Sequence, residues 1–230
     1  MPRPHFHEEL EKMELRLLSL GELAGNAVQR SVEAVLEHDD DAAEAVVAGD
    51  DEIDAIYLEL DHEMLALLAL QAPVAADLRL ISVIMHSSLY VERIGDQAVN
   101  VAKVYRVSSN LPRNATIVQQ IGEMGDIVVD MVRVAMDALR RRDLELCTRL
   151  PKMDDPVDRL NRNMHFEVAK LADDPKALDW GMHMNLAARA LERVGDNAVD
   201  IGEQVSFLVS GEFREFTDAS HPGGVASDAT

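Results

Sequence analysis

The chain is short of the residues that build sheets, disulfides and nucleic-acid surfaces. Of its 230 residues only 4% are aromatic, with 12 glycines and 8 prolines. Few ring side chains and few turn formers, beside abundant Ala, Leu, Val, Met, Glu and Asp, favour helices over sheets. The single cysteine, Cys147, excludes an intrachain disulfide, and nothing near it marks a thiolate zinc site, so a reduced compartment fits. Basic residues are scarce: 22 Lys and Arg stand against 42 Asp and Glu, a formal charge of -20. Nucleic acid and anionic lipid both need their phosphates neutralised, which argues against direct DNA binding and against a membrane surface as partner. Long apolar runs are missing too. The longest stretch without a charged side chain is Met64–Ala76, 13 residues, whereas a spanning helix needs about 20. No apolar stretch follows a basic start, so no signal peptide is read, and the expectation is a cytoplasmic protein without membrane insertion. The glycine-rich phosphate loop GxxxxGK[ST], the dinucleotide GxGxxG and the nucleophile elbow GxSxG are all absent.

What is present is helical periodicity. Leu10, Met13, Leu17, Leu20 and Ala24 form an apolar stripe at spacings of three and four, which Val28, Val32, Val35 and Leu36 continue. Breaks are expected at His38–Asp41, Gln71–Pro73, Ser108–Arg113, Arg142–Asp143 and Asp173–Pro175, leaving about six long helices. The chain also repeats itself. Gly21–Asp54 laid over Gly125–Asp158 matches at seven of 34 positions: Gly21/Gly125, Val28/Val132, Ala34/Ala138, Asp39/Asp143, Asp50/Asp154, Asp51/Asp155 and Asp54/Asp158. Further on, ERIGDQAVNV from Glu92 matches ERVGDNAVDI from Glu192 at six of ten. The reading is all-α: two tandem three-helix bundles over residues 6–107 and 115–213, a linker at 108–114, and a disordered acidic tail over 214–230.

The duplicated acids are the strongest chemical signal. Glu92 and Asp96, and again Glu192 and Asp196, stand four residues apart, on one helix face a turn from each other. Like charges so placed repel, and a bound cation or a basic partner turns that cost into a site. Asn100 and Asp200 lie one turn further along and offer two more oxygen ligands. Gly95 and Gly195 inside these helices each cost about 1 kcal/mol relative to Ala, which points to close helix packing there. Arg93 and Arg193 point away from the acid face and suit salt bridges. A second acid set, Asp50 with Asp54 and Asp154 with Asp158, falls on the middle helix of each repeat, with Asp61 on the face of the first pair and His165 at the matching place in the second. Two acid stripes on adjacent helices would gather four or more carboxylate oxygens, a donor set for magnesium, manganese, calcium or iron.

A plainer reading stands beside this one. Acid pairs four apart are common on solvated faces. Asp51 and Asp155 read as helix N-caps, with Pro156 suited to a first helical position, so that Asp54 and Asp158 merely complement the helix dipole. Recurrence of both motifs in both repeats weighs toward a site. Glu59-x-x-His62 has di-iron ligand spacing, but that architecture needs a second such pair, and none is present. Met182 and Met184 read as gap-filling core, and Cys147 lacks a placed base.

The segment QAPVAADLRLI followed by ERIGDQAVN and ERVGDNAVDI resembles the PhoU family of phosphate-signalling proteins, over nearly the whole chain. The resemblance implies two three-helix repeats, no enzymatic reaction, a homodimer, and iron or zinc clusters on the motifs at Asp50, Asp54, Glu92, Asp96, Asp154, Asp158, Glu192 and Asp196. It also implies a place between a phosphate transporter of the ABC type, through its ATPase subunit, and a sensor histidine kinase, holding the starvation response off when phosphate is plentiful. Pro156 puts Asp154 in question as a ligand. Arg79, which has no counterpart in the second repeat, is expected with Arg93 and Arg193 at the partner-binding face. Two other readings compete: a carboxylate-bridged metalloenzyme in a helical bundle, and a metal-free scaffold.

Overall fold

The computed structural model describes residues 3–70 and 73–216, all in helices and their connections. Six long helices, α1 (Arg3–Glu37), α3 (Asp50–Leu70), α4 (Ala75–Ser108), α5 (Ala115–Arg141), α6 (Leu144–Ala169) and α7 (Pro175–Ser210), are joined by one short helix, α2 (Asp40–Ala48). The breaks fall where local chemistry asks for them. His38 (φ 62°) and Arg142 (φ 55°) turn left-handed just past α1 and α5, 104 residues apart, at equivalent places in the two repeats. Asp39 and Asp143 follow them. The Asp39 carboxylate accepts the Ala42 amide at 2.9 Å to cap α2, and that of Asp143 accepts the Glu145 and Leu146 amides to cap α6. This explains the identity at these two positions, and each cap contributes about 1 kcal/mol. Asn114 caps α5 and Asp174 caps α7, with Pro175 at the start of the latter.

The two repeats differ in their middle layer. At Gly49 the first repeat breaks, so that α2 and α3 together take the place of the single helix α6. The second repeat runs straight through Pro151 and Pro156. The N-cap expectation for Asp51 and Asp155 is therefore corrected: Asp51 lies within the first turn of α3, and Asp155 lies in the interior of α6, whose cap is Asp143.

Helices α1, α4, α5 and α7 form a central four-helix bundle, each packed on two of the others. Helices α2 and α3 flank α1 and α4, and α6 flanks α5 and α7. The first helices of the two repeats run antiparallel: Gly21 faces Met136, Gly25 faces Val132, Val32 faces Gly125, and Leu36 faces Gly122. The last helices do the same, as Arg79 of α4 reaches Leu208 of α7. One apolar core runs through both repeats, and the predicted stripe is buried from Leu10 to Val35, whereas its last member, Leu36, is 37% exposed. Of the two methionines assigned to the core, Met184 is buried and Met182 is 59% exposed, because the turn offset between them sends Met182 to solvent.

Arginines finish three helices by donating to their last carbonyls. Arg113 from the linker donates to Val35 and Leu36 of α1, Arg142 to Leu139 of its own α5 at 2.8 Å, and Arg79 to Leu208 of α7 at 3.4 Å. Past Gly211 the chain folds back along α7, and the Phe216 amide donates to the Glu203 carboxylate at 2.6 Å. Of the expected tail, Phe216 packs against the bundle, whereas Arg214 and Glu215 are exposed. The remainder of the tail, 217–230, lies outside the described residues.

A methyl group at Gly125 would stand 2.6 Å from one γ-carbon of Val32 and 2.8 Å from the other, both held stiffly by the branched β-carbon. At Gly25 the nearest atom would be 3.5 Å away, an ordinary contact. Gly125→Ala is therefore expected to destabilise, since overpacking of about 1–3 kcal/mol outweighs the helix-propensity gain of about 1 kcal/mol. Gly25→Ala is expected to be neutral or stabilising. Urea melts of the two variants check the pair, and a Gly125→Ala midpoint at or above that of the natural chain would refute the close approach.

Candidate functional site

The acids of each repeat meet in a groove between two helices. In the second repeat, Asp154 and Asp158 come from α6, and Glu192 and Asp196 from α7. Asp154 lies against the α7 backbone at Gly195: a methyl group there would overlap its Oδ1 atom. The paired glycine and aspartate thus let one helix carry a carboxylate directly onto the other. Glu192 is 8% exposed. Arg189 reaches its Oε1, and Arg162 donates to Asp158 at 3.2 Å. The other oxygens are left over. Asp154 Oδ1 and Glu192 Oε2 are buried with no hydrogen-bond partner, a condition that costs about 1–3 kcal/mol or more per group unless a ligand relieves it.

The charges feel one another. Burial, then the neighbouring Asp196, Asp158, Glu192 and Asp155, push the Asp154 carboxyl up to about 7. Glu192 is raised by burial and by Asp196, with Arg189 opposing, and Asp196 is raised by burial and by Asp158. Asp200, one turn along, is raised by burial and by Asp196, with Arg93 of α4 opposing. Pro156 does not remove Asp154 from this group, since α6 continues through it.

The first-repeat groove holds Asp50 and Asp54 of α3 with Glu92 and Asp96 of α4. Asp50 is raised by burial and by Asp54 and Asp96, with Lys103 opposing; Glu92 is raised by burial, Asp96 and Asp54. Here one inward oxygen, Asp50 Oδ1, is buried without a partner. Gly95 answers to Ile53 on α3, whose Cδ1 would lie 3.0 Å from an added methyl, and not to a carboxylate. Asp61 is half-buried and close enough to Tyr57 to raise its phenol. Asn100 points its amide to Gln97 at 3.3 Å. Among the described residues no three His, Cys, Asp or Glu groups already converge on one point at coordination distance. Closing on an ion takes rotation of these side chains about their own bonds.

The remaining candidates go elsewhere. Arg79 is half-buried, stacked 5.7 Å from the Phe207 ring and spent on the end of α7, which accounts for its lack of a second copy. Arg93 is exposed over the Tyr90 ring at 5.9 Å, and Arg193 is exposed; neither makes an ion pair among the described residues. Glu59 is exposed and bonded to Arg16 of α1 at 2.6 Å, and His62 is exposed, so the di-iron spacing does not point into the core. His165 stacks on Phe166 and lines a cleft of about 350 Å3 with Met182, His183 and Leu186. A further cleft of about 330 Å3 lies between α1 and α5 and contains none of the grouped carboxylates. Two features went unread in the sequence. The ion pairs of Arg189 and Arg162 could have been found from their spacings of three and four, whereas the Glu203–Phe216 hydrogen bond carries no local signal.

A "PhoU domain" family model matches residues 17–104 and 121–205, one stretch in each repeat. The chain belongs to the PhoU family. The phosphate-specific transport system accessory protein PhoU homolog of Pseudomonas putida is 35% identical over 222 residues, covering 95% of this chain and 84% of that protein. The crystal structure of PhoU from Pseudomonas aeruginosa superposes with a TM-score of 0.85 at 34% identity, covering 90% of this chain and 100% of that one. That of the phosphate transport system regulatory protein PhoU from Streptococcus pneumoniae gives 0.82 at 25% identity, with 91% and 99% covered. PhoU proteins are regulatory accessory proteins and not enzymes.

Cys147 fits that assignment. It is buried, donates to the Asp143 carbonyl at 3.1 Å, and burial pushes its thiol up to about 11. At about pH 8 roughly 0.1% is thiolate, so the native protein is expected to resist iodoacetamide until denaturant opens it.

The sign of the acid effect is also testable. Asp154 has a folded-state pKa of about 7, against an ordinary value of about 3.9 in the unfolded chain. The stability it contributes is complete below the unfolded value and is lost as pH rises through the folded one. In chelator, Tm is expected to fall as pH is raised from about 5 to about 8. Asp154→Asn is expected to flatten that slope and to raise Tm at the upper end. A variant no more stable than the natural chain under those conditions would contradict the burial of this charge.

Proposed function

We propose that this chain is a metal-dependent, non-catalytic regulator of phosphate uptake. It couples a high-affinity phosphate transporter of the ABC type to a sensor histidine kinase and keeps the starvation response off when phosphate is plentiful. The observation that carries this is the match, over 95% of the chain, to a protein named as an accessory of the phosphate-specific transport system. The carboxylate grooves support the metal part of the reading. Their inward oxygens are buried without partners at Asp50, Asp154 and Glu192, which is what hard or borderline cations satisfy. Asp50, Asp54, Glu92 and Asp96 would hold metal in one groove; Asp154, Asp158, Glu192 and Asp196 would hold it in the other, with Asn100 and Asp200 at the margins. Iron or zinc is the family expectation, and the all-oxygen donor set equally suits manganese or magnesium. A bound cation supplies charge neutralisation here and no turnover.

Charge frames the partner contacts. The excess of acid over base in this chain favours basic surfaces on the kinase and on the transporter ATPase. Arg93 and Arg193, exposed beside the acid motifs, set the register of that contact by pairing with acids among those basic groups. No described helix is long and apolar enough to cross a membrane, so attachment to the membrane runs through these partners. The protein works in the cytoplasm as a homodimer.

Two measurements test this. Elemental mass spectrometry of protein purified without a metal-affinity tag is expected to find multivalent metal, reduced in the double variant Asp154→Asn with Glu192→Gln. Binding to the kinase cytoplasmic region and to the ATPase is expected to weaken about tenfold or more in Arg93→Glu with Arg193→Glu, since reversing rim charges slows association. Equal metal content would sink the first part, and unchanged binding the second.

A further inference from the structure

The two grooves carry the same four acid positions, but the helices around them differ. In the second repeat Asp154 and Asp158 sit in the interior of the 26-residue helix α6, which is packed on both α5 and α7. In the first repeat Asp50 is the first residue of α3, immediately after the break at Gly49, and Asp54 follows one turn later. The turn bearing the acids is therefore a helix end in one repeat and a helix interior in the other. Helix ends open more readily than interiors. Helix α3 is also the less firmly seated of the two, since it packs less extensively on its neighbours and leaves Leu58, Leu65 and Leu70 about half exposed or more.

Compensation of charge differs as well. Asp50 stands at the N-terminus of α3, the positive end of its dipole. Lys103 of α4 lies close enough to Asp50 to favour its charged form. The residue equivalent to Lys103 in the second repeat is Glu203, already held by the Phe216 amide. Asp154 and Asp158 gain nothing from a helix end. Arg189 and Arg162 do reach this groove, but they take Glu192 Oε1 and Asp158 and leave the inner oxygens alone. Glu192, 92% buried by its 8% exposure, turns an unpartnered Oε2 into the groove, and Asp154 Oδ1 lies beside it in the same condition. In the first repeat Glu92 is only half-buried, and Asp50 supplies the single orphaned oxygen.

We propose that the grooves are unequal cation sites: the α6–α7 groove binds its multivalent cation first and retains it, while the α3–α4 groove fills second and exchanges with the medium. The inference rests on the metal reading above and deepens it. A cation entering the second-repeat groove meets acids carried on a continuous helix, with Asp154 Oδ1 and Glu192 Oε2 buried and without partners, so that only rotation of side chains remains to be done on binding. A cation entering the first-repeat groove competes with Lys103 and a helix dipole, and must fix a helix end. The α6–α7 ion is then part of the fold, and the α3–α4 ion is the one whose occupancy follows the cation supply.

The test is a Mn2+ titration of chelator-treated full-length protein, with free Mn2+ read by its electron paramagnetic resonance signal and bound metal confirmed by elemental mass spectrometry. The natural chain is expected to show two classes of site, differing about tenfold or more in affinity. Asp154→Asn with Glu192→Gln is expected to remove the tight class and spare the weak one, and Asp50→Asn with Glu92→Gln to do the reverse. Thermal melts should follow, with the large Mn2+-induced rise in Tm surviving only in the first-repeat variant. Far-UV circular dichroism checks that both variants fold, and single Asp154→Asn and Asp50→Asn chains take their place where a double does not. One class of affinity, or the reverse assignment, overturns this inference alone. No bound Mn2+ in the natural chain, repeated with Zn2+ and Fe2+ and again without binding, overturns the metal reading beneath it as well.

Discussion

Each repeat presses two acid-bearing helices together, and carboxylate repulsion works against that packing at the turns that carry the acids. Around the α6–α7 groove the opposing force is apolar: Leu150, Val157 and Met164 of α6 and Leu191, Val194 and Ala198 of α7 are all fully buried. Removing such side chains from water is worth about 1.5–3 kcal/mol each for the larger ones. That is enough to hold several carboxylates at close range. Gly195 sharpens the conflict, because without a β-carbon it admits the Asp154 carboxylate to the α7 backbone. A fold selected only for stability would place a neutral side chain at Asp154, since a buried charge without partners is a net cost. The cost persists in the packed interior of the repeat, where a ligand is the natural source of compensation.

The central bundle makes that tolerable. Because α1 meets α5 and α4 meets α7 in antiparallel register, the two repeats share a single core, and neither groove has to be stabilised by its own three helices alone. Arg79 shows how far the sharing goes. It belongs to the first repeat by sequence, yet its guanidinium closes the last helix of the second. The equivalent end of the first repeat, that of α4, runs into the linker, whose Arg113 donates to the last carbonyls of α1.

Most of this was legible in the sequence, for identifiable reasons. Helix number and breaks follow from periodicity and from caps such as Asp39 and Asp143, which act within a few residues. The pairing of the acid motifs follows from a spacing of four and from the duplication. What stayed hidden depends on residues distant in the chain. Nothing local to Arg79 reveals Leu208, and nothing local to Glu203 reveals Phe216. The false N-caps at Asp51 and Asp155 came from the opposite difficulty: an acid followed by Pro156 has the local form of a helix start, but packing on α5 and α7 carries α6 through it. The same comparison exposed a difference that identity of motif conceals. Gly49 ends α2 in one repeat, and Met153 at the equivalent position lets α6 continue in the other.

That single break bears on how a duplicated regulator divides its labour. Two identical sites on one rigid body would fill together and report one quantity. A helix start at Asp50 gives one copy a groove at a helix end with one orphaned oxygen, and the continuous α6 gives the other a groove with two, Asp154 Oδ1 and Glu192 Oε2. For occupancy of a site to carry information, its energy must lie close enough to zero for concentration to decide it. A groove that relieves buried, unpartnered charge lies far from that point and serves the fold. A groove already eased by a helix dipole and Lys103 lies nearer to it. On the proposed reading, duplication supplies the scaffold, and unequal decay of its symmetry separates the structural site from the responsive one.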